Sequence, residues 1–366
     1  MLIEPLLPER AAALEAFNSR LRAGGSPLCF DFPEALGRQP RGLLTTECFA
    51  AVDDGGQIRG VYRLIHQPFW VADGQRTLPF LQLPLSEGIV DRGYAAVGLM
   101  LITDALRRAP LMFALGMGSI ERPLPRMLRL LGAQVREVPF YFRLLRRFSV
   151  FRSLPMLRAT RARRWAADFA AYSGAGSLAL AGLDAVRRRS GVRRRELRWE
   201  FCEHFPEWAD VLWESSKAAY SMIAVRDRAH LECLYQPAST LRRMVVFRES
   251  QPIGWALLID CPVRDHRFFG TMRVGVVADA LAAPGQEDAV VAAADFALAD
   301  MGVDVSVSNQ MAPAWRHALE RAGYLRHKSN YILALAKPLA TLLTLQDPEF
   351  QRIHLNRGDG DRAYSV

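Results

Sequence analysis

One order of elements occurs twice in this chain of 366 residues. In the first copy, residues 47–53 and 59–71 read as two strands. They are joined by the turn residues Asp54-Gly55-Gly56 into a hairpin. A third strand follows over Thr77–Leu85, then an amphipathic helix over Tyr94–Arg108. Next come an apolar strand over Leu111–Met117, a helix over Leu124–Leu131 closed by Gly132, and a last strand or strand pair over Val135–Leu145. The second copy has a hairpin over 242–249 and 253–260, a long strand over His266–Val277 and an Ala-rich helix over Gln286–Met301. A strand over Val303–Ser308, a helix over Ala314–Ala322 closed by Gly323, and a strand over Ser329–Ala336 complete it. Helices precede both hairpins, at Pro8–Arg22 and at Trp208–Tyr220 and Asp227–Tyr235. An internal repeat at a spacing of roughly 190 residues is a duplication. The length suits two domains of about 150 residues and a connector.

Charge marks the connector. The formal net charge is +9, and basic residues outnumber acidic ones by 47 to 38. Fifteen arginines against Asp168, Asp184 and Glu196 put +12 into residues 143–198, which leaves the rest of the chain near −3. The expected organisation is a domain over 1–147, an Arg-rich, partly helical linker over 148–199, a second domain over 200–346 and a tail over 347–366. Residues 143–164 mix arginines with Phe148, Phe151, Leu154, Met156, Leu157 and Trp165, which suits contact with an anionic membrane surface. An ordinary connecting helix pair with solvated arginine faces is the plainer reading. Nucleic acid is not expected, because no helix-turn-helix, RNA-binding or zinc pattern accompanies the charge.

Several classes are excluded. Met1-Leu2-Ile3-Glu4-Pro5 has no basic and apolar leader, so no secretory signal is expected. The longest stretch free of charged residues, Phe169–Leu183, is shorter than the about 20 residues of a membrane span. Five cysteines, scattered and never in a Cys-x-x-Cys pair, argue against disulfides and zinc and for a reducing compartment. A cytoplasmic location follows, with attachment at the periphery of the inner membrane as its variant. The tail His354–Asp361 has the start of a calcium loop without its spacing or closing Glu, so calcium is not expected.

The repeated order, with Val303–Gln310, Ala312–Tyr324 and Asn330–Leu335 in one copy and Leu111–Gly118, Arg122–Ala133 and Val138–Leu145 in the other, resembles the GNAT superfamily of acyl-CoA-dependent N-acyltransferases. The doubling is similar to FemAB-related and polysaccharide-locus acyltransferases. The fold class implied is α/β. It comprises two tandem domains, each with a mixed, mostly antiparallel central sheet flanked by helices.

The resemblance also implies a site. The co-substrate would be acetyl-CoA or another acyl-CoA, with no metal. Its pantetheine would lie along the fourth strand at Leu85 and Ser86. Its pyrophosphate would sit on the next helix N-terminus, where the dipole is positive. Arg92, Gly93, Ala95 and Ala96 hold that place. Read from Arg92 they give R-x-x-A-x-V, short of the family's [Q/R]-x-x-G-x-[G/A]. The second copy has no arginine there and carries Glu287 and Asp288, which would repel a pyrophosphate. The first copy is therefore the better acyl-CoA domain. Glu87 is the candidate base, and Tyr141 and Ser119 are candidate proton donors to the leaving thiolate. Asn309 would bond pantetheine or cap the following helix. Each has a structural alternative, as loop, core, cap or turn residue. The implied acceptor is an amine of an amino sugar or of another cell-envelope or polysaccharide precursor, a small molecule or glycan. A non-catalytic binding protein and a FemAB-type aminoacyl-tRNA-dependent transferase are the rival readings.

Overall fold

A computed structural model describes residues 1–31, 43–146, 192–266 and 269–360. The chain divides into two compact units. Unit 1 comprises 1–137 and 330–350, and unit 2 comprises 138–329 and 351–366.

Unit 1 is built on a sheet with strands β1 (Leu2–Pro5), β2 (Thr45–Val52), β3 (Ile58–Val71), β4 (Gly74–Ser86), β5 (Phe113–Met117), β6 (Gln134–Glu137) and β15 (Tyr331–Leu335). Their order is β1-β2-β3-β4-β5-β15-β6, antiparallel except for the parallel pair β4–β5. Period-two alternation sorts β2 between the faces. Cys48, Ala50 and Val52 face α1 (Ala11–Ala23), through its Leu14, Phe17 and Leu21. Phe49 and Ala51 face α2 (Ala95–Arg108) and α3 (Pro123–Leu130). On the α2 face, the Tyr62 hydroxyl donates to Asp104 Oδ2 at 2.6 Å, and Arg108 donates to the same oxygen at 2.7 Å. A polar peg on the helix is thus satisfied within an apolar layer.

Unit 2 repeats the plan. It uses β7 (Phe140–Leu144), β8 (Leu197–Cys202), β10 (Leu241–Arg248), β11 (Gln251–His266), β12 (Gly270–Ala282), β13 (Val305–Asn309) and β14 (Leu325–His327). The order is β14-β7-β13-β12-β11-β10-β8, with β12–β13 the parallel pair. Its helices are α4 (Trp208–Ser216), α5 (Arg228–Leu234), α6 (Glu287–Asp300) and α7 (Pro313–Arg321). A short strand β9 (Met222–Ala224) pairs in parallel with β16 (Ile353–His354). The helix α8 (Lys337–Thr344) follows β15 and belongs to unit 1.

The closing strands are exchanged. The segment 135–145, expected to close the first domain, splits at Val138-Pro139. Pro139 has no N–H for a ladder. Its first half stays in unit 1 as β6. Its second half, β7, lies between β13 and β14 of unit 2. In return, β15, expected to close the second domain, lies between β5 and β6 of unit 1. The sequences FYFRL and YILAL are both compatible with an inner strand, so composition alone does not assign them. Most of the expected linker falls outside the described residues. Its described end, 192–199, carries a 3-10 turn at Arg194–Glu196 and the start of β8. Among the described residues, no helix is long and apolar enough to cross a membrane.

Candidate functional site

In unit 1, β4 and β5 share one registered pair, Phe80 with Phe113. Beyond it β4 runs on to Ser86 and β5 to Met117, without further pairing to each other. The cause lies in β4. Its register against β3 shifts between Val61 and Arg63, opposite Leu83-Pro84, and Leu83 has a φ of 46°. Such a bulge bends a strand and raises its twist, so β4 turns away from its parallel neighbour. At the same edge β5 ends on Gly116 and Met117 and runs into Gly118, with φ values of 104°, 57° and 78°. Glycine takes that region freely, and Met117 takes it at a cost.

Past β4 the chain makes a 3-10 turn at Glu87–Ile89 and another at Arg92–Tyr94, then enters α2. The Asp91 carboxylate accepts from Gly93 N at 2.8 Å and so caps the short turn. The helix itself begins at Tyr94 without a side-chain cap, its first turn holds no acid, and Ala95 and Ala96 are exposed. Ala95 N donates to Arg92 O of the preceding turn, and the amides after it, from Ala96, carry the positive end of the dipole. A parted strand edge and an uncapped, acid-free helix start therefore adjoin in the chain. That combination can take an extended polar arm with an anionic end.

Glu87 sits beside this edge in a different state from a free base. It is 5% exposed. Arg20 donates to its Oε1 at 2.8 Å and to its Oε2 at 3.2 Å, and Arg59 Nη1 reaches both oxygens, at 3.1 and 3.0 Å. Arg59 also pairs with Asp53 at 2.7 Å and stacks on the Tyr94 ring at 4.3 Å. The carboxylate thus ties α1, β3 and the turn before α2 together. Ser119 follows β5, where its Oγ accepts from Glu121 N at 3.3 Å and its carbonyl from Arg122 N at 3.0 Å. Leu85 and Ser86 end β4 and are buried, while Arg92 and Gly93 are exposed.

The other two expected residues belong to unit 2. Tyr141, on β7, is fully buried. Its hydroxyl donates to Glu320 at 3.0 Å, and burial pushes its pKa up. Asn309 ends β13, fully buried, and its Oδ1 accepts from the Arg357 guanidinium at 3.2 and 3.3 Å. It is therefore held by this chain's own tail.

Unit 2 differs at the matching place. Its parallel pair β12–β13 holds register from Val274–Val305 to Val277–Ser308 and then parts. The helix that follows, α6, starts with Glu287 and Asp288. Burial, reinforced by Asp288, raises the Glu287 pKa, and Asp288 pairs with Arg321 at 2.7 Å. Between the parted strands lies a buried polar cluster that joins part of the tail His354–Asp361, read from the sequence only against calcium, to residues the sequence pattern did not connect with it. It holds Arg226, Asp279, Tyr235, His354, Asn356 and Asp359. One signal was available, since Asp279 is a lone acid in the apolar run VGVVADALA. A buried charge requires a partner. Among the described residues, no group of three or more His, Cys, Asp or Glu side chains could hold a metal ion.

No protein-family profile matches this chain, and no curated protein matches it in sequence. Solved structures do. A GCN5-related N-acetyltransferase from Anabaena variabilis ATCC 29413 is 9% identical, with 91% of this chain and 72% of that one covered at a TM-score of 0.53. A conserved protein of unknown function from Enterococcus faecalis V583, described as a probable N-acyltransferase, is 10% identical. It covers 93% of this chain and 73% of its own, at a TM-score of 0.50. The fold is thus that of the GCN5-related N-acetyltransferases.

Proposed function

We propose that this chain is an acyl-CoA-dependent N-acyltransferase whose acyl-CoA lies in unit 1. One observation carries the reading. The parting of β4 from β5 leads into a helix start with neither cap nor acid, whereas the equivalent helix of unit 2 starts with two acids. The β4 backbone at Leu85 and Ser86 would bond the pantetheine arm. The α2 amide at Ala96, with the Arg92 side chain, would bond the phosphates, since the Gly93 and Ala95 amides are already given to Asp91 Oδ1 and Arg92 O. An acyl group, acetyl in the simplest case, passes from sulfur to nitrogen: the C–N bond forms, the C–S bond breaks, and the amine gives its proton to water, which restores the one that Ser119 returns to the thiolate. A strand amide stabilises the oxyanion. Ser119, in the same unit, would return a proton to the thiolate. Glu87 is assigned to holding the turn, because both of its oxygens are already bonded to guanidinium groups. An amine of an amino sugar or cell-envelope precursor, small molecule or glycan, is the acceptor class that the doubled arrangement suggests.

The test is thermal. A ligand that binds only the folded state at a hundred times its dissociation constant adds about 2.7 kcal/mol by mass action. Acetyl-CoA should raise the melting temperature of the wild type and of Glu287→Arg, and should raise that of Arg92→Glu and Ala96→Glu little or not at all. An acid in a first helical turn favours the helix itself, so a lost shift in Ala96→Glu reports the ligand and not unfolding. A full shift in Ala96→Glu that disappears in Glu287→Arg would move the site to unit 2.

A further inference from the structure

The parting of β12 and β13 in unit 2 is filled by a stretch of this chain, residues 353–360. The stretch enters as β16, paired with β9. Leu355 O then accepts from Met311 N at 3.0 Å, and Asn356 bridges to Gln310, so its backbone is bonded to the residues directly after β13. On the other side the Asn356 amide donates to Asp279 Oδ1, on β12. One short segment therefore spans the gap from wall to wall.

Its side chains are read individually. The Asp359 carboxylate accepts from Arg226 Nη2, and Arg226 Nε lies 2.7 Å from Asp279 Oδ2. Both the Arg226 and Asp279 side chains have no exposure. The Arg357 guanidinium donates to Asn309 Oδ1. Asn356 and Asp359 close a capping box, with Asn356 Oδ1 accepting from Gly358 N at 2.9 Å and Asp359 Oδ2 from Asn356 N at 3.0 Å. At position 358 only glycine fits. A Cβ there would stand 2.3 Å from the Tyr235 hydroxyl oxygen and 3.0 Å from Asp279 Cβ. The Tyr235 oxygen is itself fixed, since its hydroxyl donates to Asp279. Shape, one buried charge pair and two amide contacts thus select the order Asn-Arg-Gly-Asp.

We propose that this gap is a peptide groove selective for an Asn-Arg-Gly-Asp segment, filled in cis by residues 356–359, and that unit 2 is thereby a recognition unit, not a second acyl-CoA site. Only its last clause rests on the acyl-CoA reading above.

Hydrogen exchange on the full chain tests the seating. The amides of 356–360 should exchange at least about a hundredfold more slowly than in a synthetic peptide of residues 351–360. In full-length Gly358→Val that protection should fall below about tenfold while the β10–β11 ladder stays protected. The emptied groove should then bind the fluorescent 351–360 peptide, and wild type should not. The same peptide with Gly358→Val or Asp359→Asn should bind at least about tenfold more weakly, as for loss of a buried charge partner. Unprotected amides in wild type, unchanged protection in the variant, or no peptide uptake by the emptied groove would each overturn the proposal. Should Gly358→Val unfold as a whole, full-length Asn356→Ala serves in its place, and the wild-type exchange still decides. Acetyl-CoA binding is measured in parallel. Its absence from every protein would sink the acyl-CoA reading and leave the groove standing, whereas two equivalents bound by wild type would remove the last clause alone.

Discussion

Glu87 combines the position of the expected base with two guanidinium partners. It stands where a base would stand, just past the strand that parts from its neighbour. Two guanidinium groups occupy its oxygens, and it is almost wholly buried. Replacement by Gln leaves Arg59 and Arg20 with one carboxylate fewer. Breaking a buried pair from one side costs about 3–5 kcal/mol. The Arg20 side chain is 31% exposed, which lowers the expectation to about 2 kcal/mol. Glu87→Gln should therefore lower the urea midpoint and leave the pH profile of the proposed acyl transfer unchanged. A profile that loses its acidic limb would restore Glu87 as the base. His354 carries a second expectation. It is wholly buried, and burial holds its pKa at about 4, well below the usual 6.5. The folded state thus binds fewer protons than the unfolded state between those values, and stability is lost as pH falls from 6.5 towards 4. Asp359 acts in the opposite sense. Burial, against the attraction of Arg226, raises its pKa to about 6, so its contribution weakens as pH rises from about 4 to 6. The two effects offset each other. His354→Phe keeps a ring against Tyr220 and Trp315 and removes one of them. Relative to wild type, its stability should improve by up to about 3 kcal/mol between pH 6.5 and 4. Urea titrations at several pH values would show it, and an equal pH slope in the two proteins would refute it.

Elements long enough to carry a period were legible in the sequence. α1, α2, α6 and α7 and the two hairpins lie within a few residues of their expected places: α1, α2 and α7 have one buried face, α6 is marked by its alanine run although it is buried almost all round, and turn residues mark the hairpins. The strands β9, β14 and β16, of three, three and two residues, are too short to have a period. One detail of the repeat is visible only in the packing. Gly60 on β3 lets α2 approach so closely that a Cβ would stand 2.8 Å from Val97 Cγ1 and 2.9 Å from Leu101 Cδ1. Gly254 on β11 does the same for α6, with Val290 Cγ2 at 2.5 Å. The two units share this close approach as well as the order of their elements. An added methyl at either site overpacks a helix–sheet layer, at about 1–3 kcal/mol. Gly60→Ala and Gly254→Ala should each lower the denaturation midpoint accordingly. A neutral Gly60→Ala would mean that α2 can shift outward without loss.

At the scale of the whole molecule, what the sequence pattern missed is connectivity. Hydrophobic periodicity says that a strand is buried, not in which sheet. The signals that place β7 in unit 2 and β15 in unit 1 are long-range: register against β13 and β14 in one case, against β5 and β6 in the other. The site suffered from the same blindness. Glu87, Ser119 and the α2 start are local to one unit, whereas Tyr141 goes with its strand to the sheet of the other. The exchange has a consequence for dissection. A fragment of residues 1–147 carries β7 without its sheet and lacks β15, so β5 and β6 are left with an open edge between them. A fragment of residues 192–366 has the reverse defect, with β13 and β14 parted and β15 unpaired. Inner strands are not spared cheaply, since each supplies two ladders of hydrogen bonds, and β15 is buried on both faces while β7 buries Tyr141 and Arg143. Either fragment alone should therefore aggregate or lack a cooperative unfolding transition. Co-expressed, the two should recover a soluble complex, because the exchanged strands can then reach their sheets from separate chains. A fragment of 1–147 that unfolds cooperatively on its own would show that β15 is dispensable to the first sheet and would return the boundary to the place the repeat suggested.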